Sequence, residues 1–96
     1  MNLLDAMNVL TKEGYYSRRF VEINNKVSSS WQIYPEETNL YVISETVLIE
    51  KEDGTDHVVK AGELFKIGTN AFFKISSEAK QAKYLLTFKP SFSKAA

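Results

Sequence analysis

The sequence predicts a small all-β barrel or sandwich that carries one short N-terminal helix. Three observations lead there. From Tyr15 onward, segments rich in aromatic and β-branched residues recur at the spacing of roughly 8–12 residues typical of barrels and sandwiches. Between them stand turn-forming groups: Asn24-Asn25, Ser28-Ser29-Ser30, Asp53-Gly54 and Gly68-Thr69-Asn70. A helical apolar period occurs only ahead of Gly14.

The helix is placed over about residues 2–13. Leu3, Leu4, Met7 and Leu10 recur at spacings of three and four, which sets them on one face for packing onto the sheet. Asn2 is a suitable N-cap, Asp5 suits the first turn and Gly14 ends the helix. Strands follow over residues 15–23, 31–34, 39–44, 46–52, 55–60, 64–67, 71–76 and 82–89, the second stopped by Pro35 and the last by Pro90. Asp53-Gly54 reads as a two-residue hairpin turn. That turn pairs Lys51 with Asp56, Glu50 with His57, Ile49 with Val58 and Leu48 with Val59, matching opposite charges and branched apolar residues across the strands. The whole chain, 1–96, reads as one domain: helix, barrel over about 15–89, and a frayed tail at 91–96.

A chain of 96 residues buries only roughly 60–65% of its unfolded surface, so its core is small. Dimerisation is the expected remedy, through exchange of a strand or a helix, because it also hides sheet edges. Twelve basic and twelve acidic residues cancel, which counts against a general polyanion binder and makes a nucleic-acid partner an outside expectation. The nucleic-acid alternative rests on Tyr15, Tyr16, Arg18, Arg19 and the C-terminal lysines, since aromatics interleaved with basic groups stack bases. There is no cysteine, which excludes disulfides, thiol nucleophiles and cysteine-ligated metals. No apolar run reaches membrane-spanning length, and the first residues lack a basic, signal-like segment, so a cytoplasmic protein without a membrane partner is expected.

Residues 31–88 then carry a resemblance. Trp31 is followed by Tyr-Val-Ile-Ser-Glu-Thr-Val at 41–47 and Glu-Asp-Gly-Thr at 52–55. Next come Lys-Ala-Gly-Glu-Leu-Phe-Lys-Ile at 60–67 and Lys-Tyr-Leu-Leu at 83–86. In this order the segments resemble the cupin superfamily, and specifically its compact single-domain, RmlC-like members. The resemblance implies a jelly-roll β-barrel.

It also implies a metal site that this sequence does not complete. Metal-binding cupins set two histidines and a glutamate in a first motif and a third histidine in a second. With Ser44-Glu45 in place of the family's Ser-Gly, the glutamate position falls on Thr38. The paired histidine positions fall on Trp31 and Ile33, or on Gln32 and Tyr34 at the shorter spacing, and the last histidine on Phe73. A transition metal needs about three or four converging N, O or S ligands. These residues do not supply them, so neither a metal nor another cofactor is expected.

Other chemical groups are isolated. His57 is the only histidine; a general base needs a positioned partner, and the expected register sets it opposite Glu50 in a hairpin. Glu36-Glu37 follow Pro35, and adjacent residues do not hold two carboxylates at a fixed catalytic separation. Arg18 and Arg19 lie in a strand, so they point to opposite faces and one can clamp an anion at the barrel mouth.

The resemblance implies a candidate cavity at the former metal site, made of Trp31, Ile33, Thr38 and Phe73 with Arg19 and Tyr84 beside them. These residues either line an apolar pocket for a small organic ligand or fill it. The function expected is a metal-free, non-enzymatic binding or protein-interaction module. The alternative is a metal-free isomerase- or lyase-like cupin enzyme using side-chain acids and bases.

Overall fold

The computed structural model describes residues 1–26 and 28–90, so the expectation of a frayed tail at 91–96 lies outside the described residues. One helix, α1 (Leu3–Lys12), precedes seven strands. These are β1 (Ser17–Asn24), β2 (Glu37–Ser44), β3 (Thr46–Lys51), β4 (Asp56–Lys60), β5 (Leu64–Gly68), β6 (Phe73–Ser76) and β7 (Gln81–Lys89). They form two antiparallel sheets, one in the order β1-β7-β2-β5 and the other β4-β3-β6. The expected strand at 31–34 is reduced to a single bridge between Gln32 and Phe73. Pro35 lacks the N–H that would extend the ladder.

The core lies between the sheets. Leu40, Val42, Tyr84 and Leu86 of one sheet meet Val47, Ile49, Phe73 and Ile75 of the other. Strands β2 and β7 are buried almost along their length, because α1 covers their outer face. Ala6 packs there against Tyr41 and Leu85, with Leu3 and Met7 beside it. Asn2 Oδ1 accepts the Asp5 N–H at 2.8 Å, which caps the helix as the sequence suggests. The buried face differs from the one expected by one position. Leu4 is 68% exposed and Ala6 is fully buried, since a helix lying flat on a sheet needs a small residue at its line of closest approach.

The β3–β4 hairpin also corrects an expectation. Ile49 pairs with His57, Leu48 with Val58 and Glu50 with Asp56, one residue away from the register predicted. The connection is a three-residue loop: the Gly54 N–H and the Lys51 carbonyl bond at 3.0 Å, and the Lys51 N–H and the Thr55 carbonyl at 2.9 Å. Gly54 stands at φ 87°, the left-handed position that closes such a loop, and Asp53 Oδ1 accepts from both the N–H and the hydroxyl of Thr55. Burial explains why this register wins. Val47, Ile49 and Val59 face the core while Val58 is 63% exposed, and the predicted pairs set an inward residue against an outward one.

The chain crosses from one sheet to the other at Glu45, which has φ 68°. This left-handed geometry is ordinary for glycine and strained for glutamate. It supports aligning Ser44-Glu45 with the Ser-Gly of cupins.

Candidate functional site at the barrel mouth

Alternation along the segment before Pro35 decides what enters the barrel. Trp31 and Ile33 are 48% and 45% exposed, whereas Gln32 and Tyr34 are partly buried. Trp31 lies outside, with Lys74 Nζ 5.6 Å from its ring centroid. Gln32 is held by paired backbone bonds to Phe73, its N–H donating at 2.8 Å and its carbonyl accepting at 3.0 Å. Tyr34 follows with its ring 6.1 Å from Phe73 and 4.8 Å from Phe88. The structure thus turns inward the pair Gln32 and Tyr34 and leaves Trp31 and Ile33 outside. The period-two pattern counted back from inward-facing Thr38 is the signal for this pair.

The remaining candidates divide as follows. Thr38 is 1% exposed, and its hydroxyl donates to the Glu36 carbonyl at 3.1 Å. Phe73 and Tyr84 are buried. Arg19 points inward and Arg18 outward. The Arg19 guanidinium donates to the Tyr34 hydroxyl at 3.2 Å and lies 6.0 Å from the ring centroid. Arg18 bonds the Thr11 hydroxyl of α1. Tyr34 in turn donates to Gln32 Oε1 at 2.8 Å, so a short chain of hydrogen bonds runs from arginine to phenol to amide. Around Arg19, Tyr34, Glu36 and Phe88 the surface forms a cleft of about 280 Å³.

Burial pushes the Tyr84 phenol up to about 12, Tyr34 adds to the rise, and Arg19 opposes it. On the outer face, burial, followed by the Glu37 carboxylate, raises Tyr15. Neither is poised to titrate near neutrality. His57 packs its ring 4.8 Å from Phe65, and among the described residues no carboxylate forms an ion pair with it. Glu37 is held by Lys66 at 3.5 Å.

With two antiparallel sheets, a left-handed crossing residue and an inward Gln32–Tyr34 pair in view, the comparison with solved structures is decisive for the fold. An RmlC-like cupin family protein from Methanocaldococcus jannaschii, with a double-stranded β-helix, superposes at a TM-score of 0.73 and 13% identity, over 80% of this chain and 72% of that one. This chain has the cupin fold. An RmlC-like cupin from Shewanella frigidimarina agrees at a TM-score of 0.69 and 13% identity, over 86% and 73% of the two chains. Drosophila melanogaster CENP-C, in its crystal structure bound to CAL1, gives 0.69 at 13% identity, over 75% of this chain; this chain spans 63% of that one. The sequence itself matches no protein-family model and no curated protein.

Of the two pairs that the resemblance offers for the histidine positions, Gln32 and Tyr34 are the one turned inward, and with Thr38 and Phe73 they present an amide, a phenol, a hydroxyl and a phenyl ring. Among the described residues no three His, Cys, Asp or Glu side chains converge. This donor set does not fit a divalent transition metal. Among the described residues, no helix is long and apolar enough to cross a membrane.

Proposed function

We propose that this cupin-fold chain is a non-enzymatic interaction module that works as a homodimer and makes its contacts through its outer surfaces. The observation that carries this reading is the contact of the Tyr34 ring with both Phe73 and Phe88, which we read as filling the barrel mouth rather than leaving it open to a ligand. Large apolar side chains stand outside the barrel instead: Phe20, Trp31, Val58 and Phe72. The CENP-C neighbour, bound to CAL1 in its crystal structure, is in keeping with a fold used for protein contact.

A small organic anion at the barrel mouth is the second reading. The Arg19 guanidinium beside the Tyr34 hydroxyl favours it, and Glu36 in the same cleft opposes it.

Native mass spectrometry of the freshly purified full chain tests the first reading against the second. The expected spectrum is a dimer with no added mass. A stoichiometric small molecule that leaves on denaturation overturns the proposal in favour of the mouth site.

A further inference from the structure

Strand β1 ends the four-stranded sheet and pairs only with β7 among the described residues, through an unbroken register from Ser17 with Phe88 to Asn24 with Gln81. It contains no proline or bulge to blunt its exposed edge, and its charged side chains, Arg18, Arg19 and Glu22, admit only a partner edge whose charges match. The opposing sheet does not close over it, for clefts of about 280 and 460 Å³ lie along β1 beside Tyr34 and beside Ser28 and Ser29. On the outer face, Phe20 pairs with Leu85, which α1 buries, yet Phe20 itself is 60% exposed.

The charges on β1 are self-complementary in one register. Arg18, Phe20 and Glu22 share the outer face, and Arg19, Val21 and Ile23 the inner one. Antiparallel pairing of two copies must set outer residues against outer residues. A two-fold axis at Arg19 opposes two arginines, and one at Val21 sets Phe20 against the partner's Glu22. An axis at Phe20 places ring against ring and Arg18 against the partner's Glu22, twice. The present partners of those charges, Thr11 for Arg18, and Lys83 at 3.8 Å and the Asn24 amide at 3.3 Å for Glu22, are exposed contacts that cost little to exchange.

We propose that two copies of this chain join their β1 edges antiparallel about an axis at Phe20, merging the two four-stranded sheets into one, with Arg18 of each copy facing Glu22 of the other. This rests on the homodimer reading above and assigns its surface.

The test is sedimentation of the full-length chain, with circular dichroism to establish folding of each variant. Wild type is expected to be a dimer. R18E and E22R each oppose like charges and should dimerise roughly tenfold more weakly. An equimolar mixture of R18E with E22R should recover a heterodimer, because each variant then meets its opposite. Because the chain has no cysteine, F20C should also form a disulfide-linked dimer under mild oxidation much faster than V58C, a comparably exposed site on the other sheet. A wild-type dimer whose single variants associate unchanged, or whose mixture fails to recover, places the interface elsewhere and overturns this assignment alone. A wild type that sediments as a monomer at every concentration overturns the homodimer reading with it.

Discussion

Tyr34 and Phe88 meet at 4.8 Å between centroids, with their planes inclined by 59°. The contact ties β7 to the segment that runs beside β6, and so joins the two sheets at the barrel mouth. Aromatic pairs at this separation gain about 0.5–1.5 kcal/mol beyond the area they bury. Tyr34→Ala removes this pair, the Phe73 contact and the bond to Gln32, and should lower stability by about 2–4 kcal/mol in denaturant unfolding. Trp31→Ala, three residues away and on the outside, should cost under about 1 kcal/mol. Equal losses at the two positions would mean that Tyr34 does not turn inward while Trp31 turns out.

Glu45 offers a gain of stability. Its φ of 68° carries a penalty of roughly 1–2 kcal/mol that glycine does not incur, partly offset by the freedom glycine adds to the unfolded chain. Glu45→Gly should therefore raise the melting temperature, whereas glycine at a neighbouring strand position such as Thr46 should lower it. A lower melting temperature for Glu45→Gly contradicts the left-handed crossing between β2 and β3.

The N-terminal helix distinguishes two leucines that look alike in sequence. Leu10 is fully buried and Leu4 is 68% exposed. Leu10→Ala should cost about 2–4 kcal/mol, and Leu4→Ala no more than about 0.5 kcal/mol. Urea titration of the two variants checks this, and comparable midpoints would place the helix in a different rotation on the sheet.

Tyr84 gives the fold an alkaline limit. Its phenol is raised from 10.0 to about 12 by burial first and Tyr34 second. The unfolded chain therefore loses this proton at lower pH than the folded one. The stabilising effect of keeping it neutral is complete below pH 10 and is lost as pH rises from 10 through about 12. Tyr84→Phe should flatten that decline, measured as unfolding free energy against pH. An unchanged slope would mean that the phenol is solvated in the folded state.

Much of the succession of strands along the chain was legible because turn chemistry is local. Asn, Asp and Gly groups mark where the chain reverses, and Pro90 marks the end of the last strand. The hairpin shows where local reasoning stops. Asp53-Gly54 indicates a turn between β3 and β4, but two- and three-residue loops both use that pair. The choice rests on which side chains the opposite sheet can bury. For the same reason two candidate pairs for the family's histidine positions remained open, Trp31 with Ile33 and Gln32 with Tyr34. The partial burial of Gln32 and Tyr34 against the exposure of Trp31 and Ile33 selects between them.

Taken by itself, the sequence determined the all-β character, the capped helix, the cupin resemblance and the lack of a histidine set for metal. Each of these follows from residue type or from spacing along the chain. The tertiary structure decided which face of α1 is buried, the hairpin register, the inward turn of Tyr34 and the outward turn of Trp31. Those depend on contacts between residues distant in sequence, where a shift of one position exchanges the buried and exposed sides of an entire strand.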